Sequence, residues 1–292
     1  MRSPGPVAEQ GGIDAEFIAT REYLPGHWLQ TWRAPALASR AQPGQYAYMH
    51  APAGWGVPML RPVTLHGFDR VRGEVTLQIS PEAPARAWLA TMGHEARATF
   101  WGPFGRPLRT DPSSHHLLLI ASGADIGRLR PLVDVALDAG RQVTLLLGAI
   151  NAATVYPSSL LPDEVEYAVA TTDGSLGHHG SVLDLVPRYE AWADQAYAAG
   201  PTDFLQDLVV LLQGRAGRLG VARLARRPGR RTSRGAKADP PRSWLQVVLE
   251  QTVGCALGVC LGCSVEGLSG PLRVCREGPS FGAQELAWPD PP

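Results

Sequence analysis

Thiols are nearly missing from this chain. Its 292 residues include four cysteines, and none precedes Cys255. Lysine is scarcer: Lys237 stands alone, and arginine carries almost all the basic charge, which reads as a coding bias rather than as chemistry. Net charge of either sign is absent, with 27 basic and 27 acidic residues, so no bulk attraction to nucleic acid or membrane is expected. No apolar run approaches the roughly 20 residues that span a bilayer. The opening stretch MRSPGPVAEQGGIDAEF lacks the apolar core of a signal peptide, so the expected compartment is the cytoplasm. The sequence holds no Walker loop and no Ser-His-Asp order that would suggest nucleophilic catalysis.

What is present suffices for two domains and a small third: 45% of residues are apolar and 18% charged. Residues 1–112 read as a small antiparallel β-barrel. AQPGQYAYMH and GEVTLQIS alternate apolar and polar positions between Pro and Gly breaks, and ARAWLATM reads as one short helix. Residues 113–213 change texture. HHLLLIASG and RQVTLLLGAI read as buried strands, with LRPLVDVALDAG between them as a helix stopped by Gly140. EVEYAVATTDG, SVLDLVPRY, QAYAAGP and TDFLQDLVVLLQG continue the alternation, as in a doubly wound α/β sheet.

Residues 214–243 hold ten basic residues and one acid, Asp239, among many Gly and Pro. This composition predicts a disordered insert. It is either a solvated tether or an arm for an acidic partner or RNA. From 244 to 292 a short helix, SWLQVVLEQTV, should lead into a cysteine-bearing domain.

Three of the four cysteines fall within GCALGVCLGC, residues 254–263, and the fourth is in LRVCREGPSF. The spacing of Cys255, Cys260, Cys263 and Cys275 is C-x4-C-x2-C-x11-C, the order that holds plant-type [2Fe–2S] clusters. Three ligands must wrap one compact core. Gly254, Ala256, Gly258 and Gly262 let backbone N–H groups approach the sulfur atoms. Structural zinc favours two C-x2-C knuckles, and only Cys260 and Cys263 form one; disulfides are disfavoured by the compartment.

A one-electron centre calls for a two-electron partner. LRPVTLHG offers an arginine before an extended strand, suited to a flavin pyrophosphate, and GPFG at 102–105 offers a turn at the barrel edge. The histidines read as ordinary: His178 and His179 in a solvated loop, His115 and His116 opening a strand. Asp173 and Asp184 lack any accompanying nucleophile, and the scattered tryptophans read as core.

Taken in order, RPVT, GPFG, an α/β domain and the C-x4-C-x2-C-x11-C-R-E-G-P-x-F run resemble the electron-transfer subunit of class 1B dihydroorotate dehydrogenase, the PyrK family. That family belongs to the ferredoxin–NADP reductase superfamily. The resemblance implies an α+β multidomain fold: a flavin β-barrel, a nucleotide domain and a small C-terminal [2Fe–2S] lobe. It implies FAD held by Arg61, Pro62, Val63 and Thr64, with Thr replacing the family's Ser. Gln78, Ile79 and Ser80 fall on the second flavin contact. Arg86 falls where a phosphate-binding Gly-Thr pair is usual.

The resemblance further implies NAD(H) and a partner subunit carrying FMN that oxidises dihydroorotate in pyrimidine biosynthesis. Against NAD(H), the family's glycine-rich turn becomes Gly123-Ala-Asp-Ile-Gly127. Its Asp125 would repel a dinucleotide unless Arg128 or Arg130 compensates. The family's Cys-Gly-Pro becomes Ala199-Gly200-Pro201, while Asp173, Gly174, Ser175, Gly177 and Gly180 keep the family's loop. The alternative is a divergent [2Fe–2S] relay or docking subunit of another oxidoreductase that binds no NAD(H).

Overall fold

The computed structural model describes residues 11–50, 61–80, 96–219, 243–251, 253, 255 and 258–288. Arg86 and the expected ARAWLATM helix lie outside them, as do Gly254 and Ala256. Among the described residues, no helix is long and apolar enough to cross a membrane.

The first unit is a closed barrel. Its strands are β1 (Ile13–Leu24), β2 (His27–Arg33), β3 (Tyr46–His50), β4 (Arg61–Asp69), β5 (Glu74–Ile79) and β6 (Arg97–Phe104). They join in the order β1-β2-β5-β4-β3-β6, and β6 closes on β1 with Ile13 opposite Phe100. Strand β5 shows the cause, since every second residue of EVTLQI is buried. Inside, Trp32 meets Phe17 and Phe100 edge-to-face at centroid distances of 5.4 and 5.5 Å. The one-turn helix α1 (Pro35–Ala38) adds Leu37 and Ala38 to this core.

The second unit is a sheet around β7 (His116–Ser122). Helix α2 (Arg130–Asp138) follows, then β8 (Gln142–Ala149), β9 (Glu166–Thr171), the short β10 (His178–His179), α3 (Val186–Tyr189), β11 (Gln195–Ala199) and α4 (Thr202–Leu219). The five central residues of β7 and all five of β11 are buried, as strands covered on both faces must be. Helix α2 ends where expected: Gly140 takes φ +70° and its N–H bonds Leu137 O at 2.8 Å.

Two expectations fail here. SWLQVVLEQTV is a strand, β12 (Leu245–Val248), hydrogen-bonded in parallel to β11. All four of its residues are buried, so it is the sixth strand of the sheet. A short run that is apolar but for Gln246 has no period that separates strand from helix. The insert expected at 214–243 opens as helix, and 220–242 lies outside the described residues. Helix α4 continues to Leu219, since arginine, alanine and leucine propagate a helix past Gly214.

The cysteine lobe leaves the sheet after β12 and returns to it. It carries the hairpin β13 (Ser264–Gly267) and β14 (Gly270–Arg273). Then β15 (Ser280–Gly282) pairs antiparallel with β12, Val247 opposite Phe281. The full sheet order is β10-β9-β8-β7-β11-β12-β15. Arg106, just past the barrel, clamps the lobe: its guanidinium meets Glu285 at 2.9 and 3.0 Å and donates to Ser280 O at 2.6 Å.

Candidate functional site

The cysteine loop is built around sulfur acceptors. The backbone N–H of Cys260 points at Cys255 Sγ (3.5 Å), that of Gly262 at Cys260 Sγ (3.4 Å) and that of Cys275 at Cys263 Sγ (3.5 Å). Gly258 and Leu261 bend the loop with φ of +70° and 59°. Glycine adopts this left-handed form freely, whereas Leu261 holds it at a cost of order 1 kcal/mol. That strain sits between Cys260 and Cys263, and nothing in the sequence announced it. An added Cβ on Gly262 would stand 3.6 Å from Cys260 Sγ, an ordinary van der Waals contact, so crowding at this sulfur does not require the glycine that the sequence suggested.

Cys263 and Cys275 are buried and Cys260 is exposed, with no disulfide among the described residues. Burial and the adjoining Cys263 push the Cys275 thiol up to about 12. Its thiolate therefore needs a local positive charge, which an iron core supplies. Amide donors aimed at three of the four thiols suit a cluster, while among the described residues no three such ligands are grouped as a ready-made site for one metal ion.

The barrel meets this lobe through aromatic side chains. Tyr46, Tyr48 and Phe104 form their own cluster with Trp101 and Val253. Tyr46 Oη donates to Cys275 O at 3.1 Å. The sequence signal was the alternation in QYAYMH. Ala47 and Met49 enter the barrel core, while Tyr46 and Tyr48 face the cysteines.

A cavity of about 140 Å³ opens between barrel, sheet and lobe. Its walls are Pro62, Val63 and Thr64, then Gly44 to Tyr46, Val248 to Gln251, and Val253 and Val274 beside the lobe. The expected flavin residues gather here in part. Thr64 stands in register with Tyr46 on one side and Gln78 on the other. Ile79 turns its side chain into the barrel core, and Ser80 is exposed. Gln78 serves as a brace: its Nε2 donates to Tyr23 Oη (2.9 Å) and to Ala124 O (2.7 Å), tying the barrel to the sheet domain.

Sequence reasoning named Asp125 and Arg128 for a dinucleotide turn and missed that they meet Glu250 at this cavity. Arg128 lines it, with Nη1 2.9 Å from Asp125 Oδ1 and Nη2 2.8 Å from Glu250 Oε1. Burial raises the Asp125 carboxyl above the usual range, and Arg128 partly opposes this. Of the two compensating arginines weighed from the sequence, Arg128 is the one engaged. Arg130 bonds Leu160 O (3.0 Å) and Asp134 (2.6 Å) instead.

The second cavity, of about 530 Å³, lies at the carboxyl ends of β7, β8 and β9, where open α/β sheets bind ligands. Ser122, Gly123, Ala124, Gly148 to Ile150, Thr172 and Gly180 to Val182 line it, with His27 from the barrel. Asp125 is not on this wall. The sequence from Gly123 to Arg128 forms a 3₁₀ turn rather than a glycine cradle. Among the described residues lining the crevice there is no lysine or arginine. The loop from Asp173 to Gly180 shapes its rim: Asp173 accepts from the Ser175 N–H and hydroxyl, and Ser175 Oγ accepts from Ala152 N at 2.8 Å.

Comparison with known proteins agrees with both halves of this picture. Residues 250–287 match the iron–sulfur cluster binding domain of dihydroorotate dehydrogenase B. The electron transfer subunit of dihydroorotate dehydrogenase B (NAD(+)) from Desulforamulus reducens is 27% identical over 283 residues, 94% of this chain and 98% of that protein. Its counterpart from Bacillus caldolyticus is 28% identical, over 92% and 94% of the two chains. Among solved structures, an NADH-dependent reduced ferredoxin–NADP oxidoreductase superposes with a TM-score of 0.73 at 19% identity, over 94% of this chain and 89% of its own. The ferredoxin reductase of carbazole 1,9a-dioxygenase gives 0.59 at 20% identity, over 70% and 65%. The chain thus has the ferredoxin–NADP reductase-like fold, ends in a cluster lobe of the dihydroorotate dehydrogenase B type, and resembles that enzyme's electron-transfer subunits over nearly its whole length.

Proposed function

We propose that this chain is the electron-transfer subunit of a dihydroorotate dehydrogenase, passing electrons between the flavin of a catalytic partner and NAD. One observation carries the reading: the flavin-side cavity and the cysteine lobe share residues. Tyr46 and Val274 line the cavity, Val274 precedes Cys275, and Tyr46 bonds the Cys275 carbonyl. FAD would supply the exchange between two-electron and one-electron transfer, and a [2Fe–2S] cluster would carry single electrons. Pro62, Val63 and Thr64 would hold the flavin edge; Cys255, Cys260, Cys263 and Cys275 would hold the iron.

The partner would carry FMN and oxidise dihydroorotate. Exposed Cys260 is flanked by Val259 and Leu261, which are 71% and 62% exposed. An apolar rim around the outermost ligand suits a protein surface that must come close and exclude water. In this reading the chain binds, orients and shields; none of its side chains acts as acid or base.

A second reading is favoured by the crevice at the strand ends. With no lysine or arginine among the described residues of its wall and a 3₁₀ turn in place of the glycine cradle, it supports a relay subunit that does not take NAD(H). One experiment separates the two. An absorbance spectrum of anaerobically purified protein is recorded before and after NADH, with iron, sulfide and flavin assayed. Flavin and cluster both bleached by NADH are expected for the first reading. A cluster with flavin that NADH leaves oxidised selects the second.

A further inference from the structure

The four cysteines come from two segments, and one side chain joins them. Cys255, Cys260 and Cys263 precede β13, and Cys275 follows β14. Arg273, the last residue of β14, sends its guanidinium across. Its Nη1 donates to Gly258 O at 3.0 Å, in the middle of the loop. Its Nε and Nη2 donate to the Glu277 carboxylate at 3.0 and 2.5 Å, and its backbone N–H donates to the same carboxylate at 2.8 Å. The guanidinium is thus aimed by a carboxylate from the far side of Cys275. Two further bonds join loop and hairpin, both at Cys263: Val274 N–H to its carbonyl at 3.0 Å and Cys275 N–H to its Sγ at 3.5 Å. Gly258 turns at φ +70°, and a Cβ there would stand 3.2 Å from Arg276 Cδ and 3.4 Å from Arg273 Nη1. Glycine leaves both arginines room beside the loop.

Arg273 and Glu277 are 28% and 31% exposed, and ion pairs so open to solvent add little to global stability. What the pair supplies is direction. A planar guanidinium grips a carboxylate with two N–H groups and still offers a third to a carbonyl; a lysine ammonium has no such fork. We propose that Arg273 is a positioning residue that latches the loop of Cys255 and Cys260 onto the strand leading to Cys275. The loop is then held beside the fourth ligand before iron arrives, and it retains the iron afterwards. This rests on the [2Fe–2S] reading of the four cysteines. An untethered loop would have to be ordered at the moment of binding, and that entropy would come off the affinity for iron. Arg273 itself ligates nothing, and the latch makes and breaks no covalent bond.

The test compares the full chain with its Arg273→Gln, Arg273→Lys and Glu277→Gln variants. Amide hydrogen exchange at 258–262 is read first, in the iron-free chain. Loss of iron to a chelator is then followed after anaerobic reconstitution with FAD, iron and sulfide. Arg273→Gln is expected to speed exchange in this loop about tenfold, with the urea midpoint and flavin content of the parent. Iron loss should quicken about threefold to tenfold. Glu277→Gln should act in the same direction but less, because the Nη1 donor remains and only its aim is lost. Arg273→Lys should behave like Arg273→Gln. Exchange unchanged in Arg273→Gln overturns the proposal. So does full rescue by lysine, which would make charge alone sufficient. Iron loss that rises only together with a fall in the urea midpoint also overturns it, since Arg273 would then be a general structural residue. A parent chain that takes up no iron and sulfide overturns instead the cluster reading beneath it, and the exchange measurement still decides the latch.

Discussion

The two cavities of this molecule lie on either side of one turn, Gly123 to Arg128, and differ in nearly every respect. The one beside the cysteine lobe is small, walled by tyrosine and valine, and braced by Arg128 between two carboxylates. The crevice at the strand ends is several times larger, walled by small residues together with Leu24, His27, Ile150, Val182 and Phe204, with no lysine or arginine among those described. Residues that hold a cofactor must be fixed to within about half an ångström, and the braced walls of the smaller cavity would suit that task. A site for a ligand that enters and leaves needs room. Here the roomy site has lost the glycine cradle that gives such ligands a firm seat.

The comparison can be broken most sharply on the cluster side. Cys263→Ser should remove the cluster completely, read as loss of bound iron and of visible absorbance, while flavin content stays near that of the parent. If iron content is unchanged, the ligand set is wrong. Acid should next unfasten the seam between the two domains. His66 is held neutral there, lowered to about 3 by burial and by Arg130 and Arg21, and its Nε2 lies 2.9 Å from Tyr156 Oη. Its folded value is depressed, so the stability it lends is full above 6.5 and is lost as pH falls from there toward about 3. One extra proton on the unfolded chain gives a slope of about 1.4 kcal/mol per pH unit. Urea unfolding of the parent and of His66→Phe between pH 7 and 4 should show the slope only in the parent.

A smaller effect comes from the brace. An added Cβ on Gly127 would lie 1.6 Å from Gln78 Oε1, so Gly127→Ala must push Gln78 off Ala124. A loss of about 1–3 kcal/mol in urea unfolding is expected; no loss would show that Gln78 is not needed at the seam. On the crevice side, Ile150→Arg adds the missing cation at an exposed rim position. It should tighten NADH binding two- to fivefold, worth about 0.5–1 kcal/mol at the surface. An unchanged affinity would mean that the phosphates of NADH do not reach this rim. Asp125→Asn should change least. Its carboxylate faces Arg128 and not the crevice, so NADH affinity should stay within twofold. The raised carboxyl makes the parent lose stability as pH climbs above 3.8, and the variant should lack that decline.

Much of this was legible in the sequence, for identifiable reasons. The cysteine spacing is dictated by the shape of an inorganic core, so four residues named the lobe. Strands β5, β7 and β8 announced themselves because alternation and continuous burial leave plain patterns. Strand β12 did not, since four residues, three of them apolar, are too few to show a period. The charge of Asp125 was legible, but its direction was not. Sequence places a carboxylate in a turn; only the path of that turn shows that Arg128 and Glu250 receive it. Gln78 was likewise expected at a flavin contact, and in the structure it ties the two domains together. Tyr46 and Tyr48 carried a visible alternation, yet which face of the barrel met the cysteines depended on contacts some 200 residues apart in the chain.

The return of β15 to the sheet has a mechanical consequence. The cysteine lobe is a loop inserted between two hydrogen-bonded neighbours, β12 and β15, and Arg106 pins it again from outside. It is not a carrier on a tether that swings between donor and acceptor. Any tunnelling distance between the flavin-side cavity and the cysteines is built in when the sheet forms. Thickening the solvent should therefore slow the meeting with a partner but not the internal transfer.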